Sequence, residues 1–209
     1  MSAQPQPSAP SAPAAAGPVY RAFTFGVTRA VCRRQGEVTY LRGDLDLQPY
    51  PTRMTDCLLH WAAATPDRPL YAQRDPARGG EWRFLSFSQA LASARSIGQA
   101  LLDRGLDQER PLVILSENSL EHAQLALGAM LAGVPFCAVS PAYSLISHDF
   151  DKLRHVMATL TPGLVYAADW GRYQRAIDAV VPPGVEVVVD QLPAQPARRG
   201  LTPLRSLLH

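Results

Sequence analysis

Five residues in two places have the chemical types and the positions needed to bind an anion. Ser140, Pro141 and Ala142 form a turn directly after one apolar run, and Arg172 and Arg175 follow the next such run. Both runs predict strands of a parallel sheet, whose carboxyl ends gather ligands. Guanidinium groups and backbone N–H groups are the donors that bind phosphate. A structural turn is the preferred interpretation of residues 140–142, with a ligand-facing loop as the alternative. Arg172 and Arg175 either face solvent or bind a phosphate at the same edge of the sheet.

Two further polar residues are expected at the same edge. Glu117 and Asn118 follow the apolar run at residues 112–115. Asn118 is predicted to cap the next helix, with Glu121 as its reciprocal partner three residues later. Because capping accounts for Asn118 without any ligand, capping is the preferred interpretation.

No short motif in the sequence grips a triphosphate or supports a catalytic assignment. Neither GxGxxG after a strand nor GxxxxGK[ST] occurs, and no Ser/His/Asp order or HExxH is defensible. The cysteines, Cys32, Cys57 and Cys137, have no metal-binding or disulfide spacing. We therefore assign no catalytic residue and no metal ligand. The cysteine pattern favours a reducing cytoplasm, with Cys57 and Cys137 as small core residues.

Composition excludes a strong electrostatic attraction to nucleic acid or to a membrane surface. The chain has 209 residues, 47% of them hydrophobic, and a formal net charge of +2. Its paired arginines, at residues 33–34 and 198–199, are interpreted as solvated loop charges. No apolar run reaches membrane-spanning length.

Along the chain, strand and helix patterns alternate after a low-complexity start. Residues 1–18 are rich in Pro, Ala and Ser and predict a disordered tail, and residues 19–47 predict a small β-rich region with a hairpin turn at Gly36. Strands are expected at residues 38–41, 70–74, 81–85, 112–115, 136–139, 164–167 and 185–189. Helices are expected at residues 55–64, 86–104, 118–132, 147–160 and 170–180. This alternation predicts an α/β fold, a Rossmann-like parallel sheet with flanking helices.

Three blocks in this order resemble one enzyme family. The blocks are TDCLLHWAAATPDRP, WRFLSFSQAL and RGLDQERPLVILSENSLEHAQLALGAMLAGVPFCAVSPAY, and together they are similar to the opening of adenylate-forming acyl-CoA synthetases, the AMP-dependent synthetase/ligases. The resemblance runs from Gly36 to the carboxyl terminus. LDLQPYPTRMTDCLLHWAA and SPAYSLISHDFDKLRHVMATLTPGLVYAAD most resemble feruloyl-CoA synthases. Residues 19–209 are thus expected to be the amino-terminal, incomplete portion of such a domain.

The resemblance implies a reaction and a set of cofactors. The complete family enzyme uses ATP, Mg²⁺ and coenzyme A to turn an aromatic carboxylic acid into its thioester through an acyl-adenylate. It implies that backbone at Ser140–Pro141–Ala142, with Arg172 and Arg175, approaches the nucleotide end of coenzyme A. This chain has Pro-Ala where some relatives have Gly-Gly, and Pro141 has no N–H to donate.

The family's phosphate loop, of type SGTTGxPK, and its late catalytic lysine do not occur in the sequence. We therefore expect the chain to be inactive alone and to need the remainder of the ligase as a partner, because nothing in it offsets the charge of ATP. Two alternatives remain open. One is a non-catalytic binding or partner module that complements a separately encoded remainder, and the other is an unrelated α/β nucleotide-binding domain.

Overall fold

The computed structural model describes residues 29–208, which form two units, residues 29–50 and 51–208. The first unit is an antiparallel hairpin of β1 (Ala30–Gln35) and β2 (Val38–Gly43), turning at Gly36 with φ +60°. Glycine suits this turn because it enters the left-handed region without a Cβ penalty. The strand predicted at residues 38–41 and its turn are therefore present. The predicted tail, residues 1–18, lies outside the described residues.

The second unit is built on a five-stranded parallel sheet. Its strand order is β6-β5-β7-β8-β9. The strands are β5 (Leu112–Leu115), β6 (Phe136–Ala138), β7 (Leu164–Ala167), β8 (Glu186–Val189) and β9 (Leu201–Pro203). Helices connect β5 to β6, β6 to β7 and β7 to β8, as crossovers between parallel strands require. The predicted α/β fold class is confirmed.

Both faces of the sheet are covered by helices. The helices of this unit are α1 (Met54–Ala64), α2 (Phe87–Asp103), α3 (Leu120–Ala132), α4 (Ala142–Leu145), α5 (Asp151–Leu160) and α6 (Trp170–Val180). One face packs against α2 and α3, through side chains such as Ile114 and Tyr166. The other packs against α5 and α6, through Val113 and Val165. Burial on both faces explains why β5 and β7 are continuous apolar runs.

A second hairpin, β3 (Pro69–Asp75) with β4 (Glu81–Ser86), precedes α2. The Gln73 side chain accepts a hydrogen bond from the Leu120 backbone N–H at 3.0 Å, which ties β3 to the start of α3. Ser86 and Gln89 form the predicted capping box of α2. Within residues 29–208, no helix is both long enough and apolar enough to cross a bilayer.

Three predicted helix starts differ from the structure. Arg53, not Thr55, precedes α1, and its backbone N–H donates to the Asp56 carboxylate at 3.1 Å. Ser119, not Asn118, caps α3 and accepts from the His122 N–H at 3.0 Å. The helix predicted at residues 147–160 begins later, as α5, because Phe150 adopts φ +58° directly before it; the short helix α4, at residues 142–145, was not predicted.

Two other expectations, for Cys57 and for the arginines at residues 33–34, were wrong, and one strand was missed. Cys57 is exposed on α1 and is no core residue, whereas Cys137 is partly buried. Strand β9 was not predicted, since three residues in a proline-containing segment give no periodic signal. The paired arginines at residues 33–34 lie in β1 and not in a loop.

Candidate functional site

All five strands end at the same side of the sheet, here called the carboxyl edge, because they are parallel. Residues 116–119 leave it after β5, residues 139–141 after β6, residues 168–169 after β7, and Asp190 after β8. The turn at residues 140–142 and the first turns of α6 therefore lie along one edge. Moreover, α4, which begins at Ala142, packs against α6, the helix that contains both predicted arginines.

The turn at Ser140–Pro141–Ala142 is held by backbone hydrogen bonds. The Ser140 carbonyl accepts from the Tyr143 N–H at 3.0 Å, and the Pro141 carbonyl accepts from the Leu145 N–H at 2.8 Å. Pro141 has φ −54°, the helical value that its ring imposes, so the chain enters α4 without strain. The segment is a well-formed turn with the exposed Ser140 side chain at the edge.

Arg172 is engaged in an ion pair across the carboxyl edge. Its Nη1 lies 2.6 Å from Oε2 of Glu117, and both side chains are about half exposed. The hydrogen bond from Arg172, followed by its charge, lowers the pKa of Glu117, and the same partner raises the pKa of Arg172. Asp169 caps α6 by accepting from the Arg172 N–H at 3.2 Å. Arg172 is thus bound within the protein to a residue from the end of β5.

Arg175 faces a different space. One turn after Arg172, it lines a cleft of about 760 Å³ between α6 and the loop at residues 191–200, here called the α6 cleft. The residues lining the α6 cleft are Trp170, Gly171, Gln174, Arg175, Asp178, Ala179, Pro193, Gln195, Pro196, Ala197 and Arg198. Arg198, which is exposed on that loop as the sequence predicted, lines the same cleft as Arg175.

Arg199, the second arginine of the 198–199 pair, is not the solvated loop charge that the sequence predicted. Arg199 is partly buried and donates to three backbone carbonyls, those of Val181 at 3.2 Å, Pro182 at 3.0 Å and Val185 at 2.8 Å. Burial lowers the pKa of Arg199. No signal in the sequence distinguishes this arginine from its neighbour, because the carbonyls belong to the loop between α6 and β8.

A serine–histidine pair at the carboxyl edge was not predicted. Ser116 Oγ lies 2.8 Å from His122 Nδ1. A nucleophilic serine must be reachable by substrate, and Ser116 is only 4% exposed. The pair holds the β5–α3 connection, because the His122 backbone N–H is also bound to Ser119 Oγ. Beside it, Asn118 and His122 line a smaller cleft of about 340 Å³ against β3.

A charged group on the α2–α3 face of the edge was also missed. Arg83 of β4 lies 2.8 Å from Glu121 of α3. Burial, and then the charge of Glu121, raise the pKa of the nearby Asp190, while Arg83 acts in the opposite direction. Burial raises the pKa of Tyr166 strongly as well. These residues come from β4, α3, β7 and the end of β8, so only the tertiary fold unites them.

Two buried hydroxyl groups on α4 and α6 lack a hydrogen-bond partner among residues 29–208: Ser144 Oγ and Tyr173 Oη. Over the same part of the chain, no three His, Cys, Asp or Glu side chains are grouped as a metal site requires. The guanidinium groups of Arg172, Arg175 and Arg198 are of the kind that binds phosphate.

Comparison with known proteins places this geometry in context. The sequence model of one family, described as AMP-binding enzyme, matches residues 58–202. A search of curated protein sequences found no match.

Solved structures with the same fold are numerous. The crystal structure of IdnL1 is 27% identical with a TM-score of 0.52, covering 68% of this chain and 26% of its own. A fatty acyl-adenylate ligase from L. pneumophila, in complex with acyl adenylate and pyrophosphate, is 15% identical with a TM-score of 0.54, covering 74% and 24%. Acyl-CoA synthetase from Brucella canis is 15% identical with a TM-score of 0.58, covering 74% and 26%. The chain spans about a quarter of the length of these three proteins.

Proposed function

The chain belongs to the AMP-binding enzyme family, and from that premise we propose that it forms the amino-terminal part of an acid–CoA ligase. The complete enzyme joins a carboxylic acid to AMP with release of pyrophosphate, and the thiol of coenzyme A then displaces AMP. The observation that supports this most is the extent of the family match. It begins in α1 and ends in β9, and so includes every strand of the parallel sheet.

We infer that the acid is a hydroxycinnamate such as ferulate. The support is the sequence around Ser140, SPAYSLISHDFDKLRHVMATLTPGLVYAAD, together with the approach to α1, both of which resemble feruloyl-CoA synthases. The first of these stretches runs from the turn after β6 through α4, α5 and β7, and the second leads into α1 and includes most of it. A reducing cytoplasm suits this function, and the described cysteines are free thiols.

The carboxyl edge is the part of the chain that we assign to coenzyme A. The turn at Ser140, Pro141 and Ala142 and the arginines Arg172 and Arg175 would approach its nucleotide end. Coenzyme A supplies the thiol that accepts the acyl group, while this edge contributes positive charge and a fixed backbone turn. Since Arg172 is bonded to Glu117, a ligand phosphate at that position has to compete with a carboxylate.

We propose that the triphosphate of ATP and its Mg²⁺ are held by the remainder of the ligase, which would be the chain's partner. The chain matches only about a quarter of each of these three proteins, so most of each of them has no counterpart in this chain. On this account the isolated chain makes no acyl-adenylate, because developing phosphate charge needs preorganised donors or cations.

The test joins this chain to the polypeptide encoded directly downstream and assays the product with ATP, Mg²⁺, coenzyme A and a panel of acids. We expect thioester from ferulate and related hydroxycinnamates, less from unsubstituted benzoate or long-chain fatty acids, and none from the isolated chain. Thioester from the isolated chain would refute the division of labour. A joined, folded protein that prefers a fatty acid would refute the hydroxycinnamate assignment and leave the ligase assignment standing.

A further inference from the structure

One face of the β3–β4 hairpin, here called the outer face, is aromatic and exposed. The strand register places Phe84 opposite Ala72 and Trp82 opposite Arg74, so these four side chains share one face. The other face packs against the protein, where Leu85 is buried. Trp82 is 51% exposed and Phe84 is 58% exposed. Large aromatic side chains gathered at a surface are typical of interaction sites.

Positive charge lies beside these aromatic rings. The Arg74 guanidinium is 4.3 Å from the centre of the Trp82 ring, and its Nη1 donates to the Gly80 carbonyl at 2.8 Å. Arg74 is therefore held on the outer face. Arg68, directly before β3, is a second exposed cation. Neither arginine forms an ion pair within the part of the chain that the structure describes.

A second exposed stretch has the complementary composition. Residues 44–50, here called the acidic segment, directly follow β2 and have the sequence DLDLQPY. Leu45, Leu47 and Tyr50 are all more than half exposed. The two aspartates form no ion pair with any described residue, and no described strand or helix includes the segment. Its apolar side chains and its carboxylates are therefore available to another surface.

The acidic segment and the outer face suit each other as two sides of an interface. Leucine side chains would cover the aromatic rings, and the aspartates would meet Arg68 and Arg74 at the rim, where interfaces are polar. Both surfaces belong to one chain, so two copies related by a twofold axis would make each contact twice. This doubling matters because stable interfaces bury about 800 Å² on each partner, more than one short segment covers.

We propose that the chain associates with a second copy of itself, and that the acidic segment of each copy docks on the outer face of the other copy's β3–β4 hairpin. The inference goes beyond the proposed function, because it uses no residue of the carboxyl edge and no ligand. The acidic segment also lies outside residues 58–202, which the family model matches, whereas the hairpin lies inside them. The docking contact is thus an addition to the matched family domain.

The first experiment is sedimentation velocity of the full chain over a range of concentrations. We expect a species of twice the chain mass of 22.7 kDa, more populated at low ionic strength because salt screens rim charges. Leu47→Ser and Trp82→Ser should each raise the dimer Kd at least about tenfold, as loss of an interface anchor does. Leu192→Ser, at a residue nearly as exposed as Trp82, is the control and should stay within about twofold.

The second experiment mixes two charge-reversed variants. One carries Asp44→Arg with Asp46→Arg, and the other carries Arg68→Asp with Arg74→Asp. Each variant alone would bring like charges together, so each should associate at least about tenfold more weakly than the unmodified chain. An equimolar mixture should recover most of the association, because a mixed dimer contains one original contact and one fully reversed contact. Only an exchange between copies predicts this recovery.

Three results would overturn the inference. They are a monomer at every concentration, a dimer that Leu47→Ser and Trp82→Ser leave unchanged, and a mixture of folded charge-reversed variants that does not recover. Thermal unfolding of each variant checks the fold. Should an arginine variant fail to fold, Leu47→Ser decides, since Leu47 is 85% exposed and its loss costs little internal packing. Failure of the proposed function would appear separately, as a joined ligase that forms no thioester.

Discussion

Charged side chains at the carboxyl edge form ion pairs with residues that lie far away in sequence. Arg172 and Glu117 are separated by 55 residues, and Arg83 and Glu121 by 38. Parallel strands make this possible, because their ends converge from distant parts of the chain. Sequence reasoning found Glu117, Arg172 and Arg175 from their positions after apolar runs. It did not find the pairings, since charge partners depend on register and crossover geometry.

We predict that Arg172→Gln raises the pKa of Glu117 toward its ordinary value of about 4.3. The hydrogen bond from Arg172 is the main cause of the lowered pKa, and its charge is the second. A lowered carboxyl pKa stabilises the fold above the unfolded-state pKa, and this contribution is lost as pH falls through the folded-state pKa. NMR titration of the Glu117 carboxyl carbon measures the change.

The matched control for this titration is Arg175→Gln. It removes the same charge one helical turn away, from a residue that is not bonded to Glu117. An unchanged Glu117 titration in Arg172→Gln, or an equal change in both variants, would contradict the ion pair.

Asp190 provides a second prediction, of opposite sign. Burial raises the pKa of Asp190, so the ionised carboxylate opposes folding, and its contribution to stability is lost as pH rises through the folded-state pKa. Asp190→Asn should therefore raise Tm at pH 7 by roughly 2 °C. The gain should shrink as pH falls through the raised folded-state pKa and should be absent below the ordinary Asp pKa of about 3.9. Thermal unfolding followed by circular dichroism across this range is the measurement, with the exposed Asp67→Asn as control. A loss of Tm at pH 7 would mean that attraction to Arg83 outweighs burial.

At the scale of elements, the sequence predicted most strands and the complete extent of α6, since apolar runs and capping residues mark them clearly. Helix starts were less certain where two capping residues stand together. Asn118 and Ser119 both have the right chemistry. Backbone geometry selects Ser119, which has the extended conformation of a cap with φ −151° and ψ 167°. Likewise, the late start of α5 depends on a left-handed backbone at Phe150, which phenylalanine rarely adopts, so the sequence pattern does not predict it.

Removing the α3 cap tests this assignment. Ser119→Ala should lower the free energy of unfolding by about 1 kcal/mol, the usual value for a lost cap. That corresponds to a Tm decrease of roughly 2–4 °C. The neighbouring substitution Asn118→Ala removes the predicted cap instead and should change stability by less than about 0.5 kcal/mol. Chemical denaturation distinguishes the two, and the reverse order of effects would restore Asn118 as the cap.

The contact between α2 and α3 depends on a glycine. A Cβ placed on Gly128 would lie 2.5 Å from Ile97 Cγ2 and 2.7 Å from Ile97 Cβ. Alanine normally favours a helix over glycine by about 1 kcal/mol, but overpacking a core costs about 1–3 kcal/mol. We therefore expect Gly128→Ala to destabilise the fold by about 1–2 kcal/mol in chemical denaturation. Gly184→Ala, with open space around the new Cβ, is the control. A stabilised Gly128→Ala variant would show that the helices can separate without cost.

At the scale of the whole molecule, the chain contains one five-stranded parallel sheet, and side chains such as Glu117, Ser140 and Arg172 are exposed at its carboxyl edge. The α/β class followed from the alternation of patterns, because each crossover helix has to pack back onto the sheet. The α6 cleft did not follow, since it depends on a loop with no regular structure and on Arg199, whose partners are backbone atoms. Trp82 and Phe84 of β4 are more than half exposed, so an apolar face of the second hairpin is also available for contact.

The most direct measurement uses an active acid–CoA ligase as host. Residues 51–209 of this chain replace the corresponding segment of the host, and thioester formation is assayed with the host's own acid. The account predicts thioester formation, because the exchanged unit supplies the same sheet and coenzyme A edge while the host supplies the triphosphate site. Pyrophosphate exchange in the same sample reports adenylation separately. A folded exchange enzyme that adenylates its acid and makes no thioester would contradict the coenzyme A assignment. One that does neither would contradict the proposal that this chain is the front part of such a ligase.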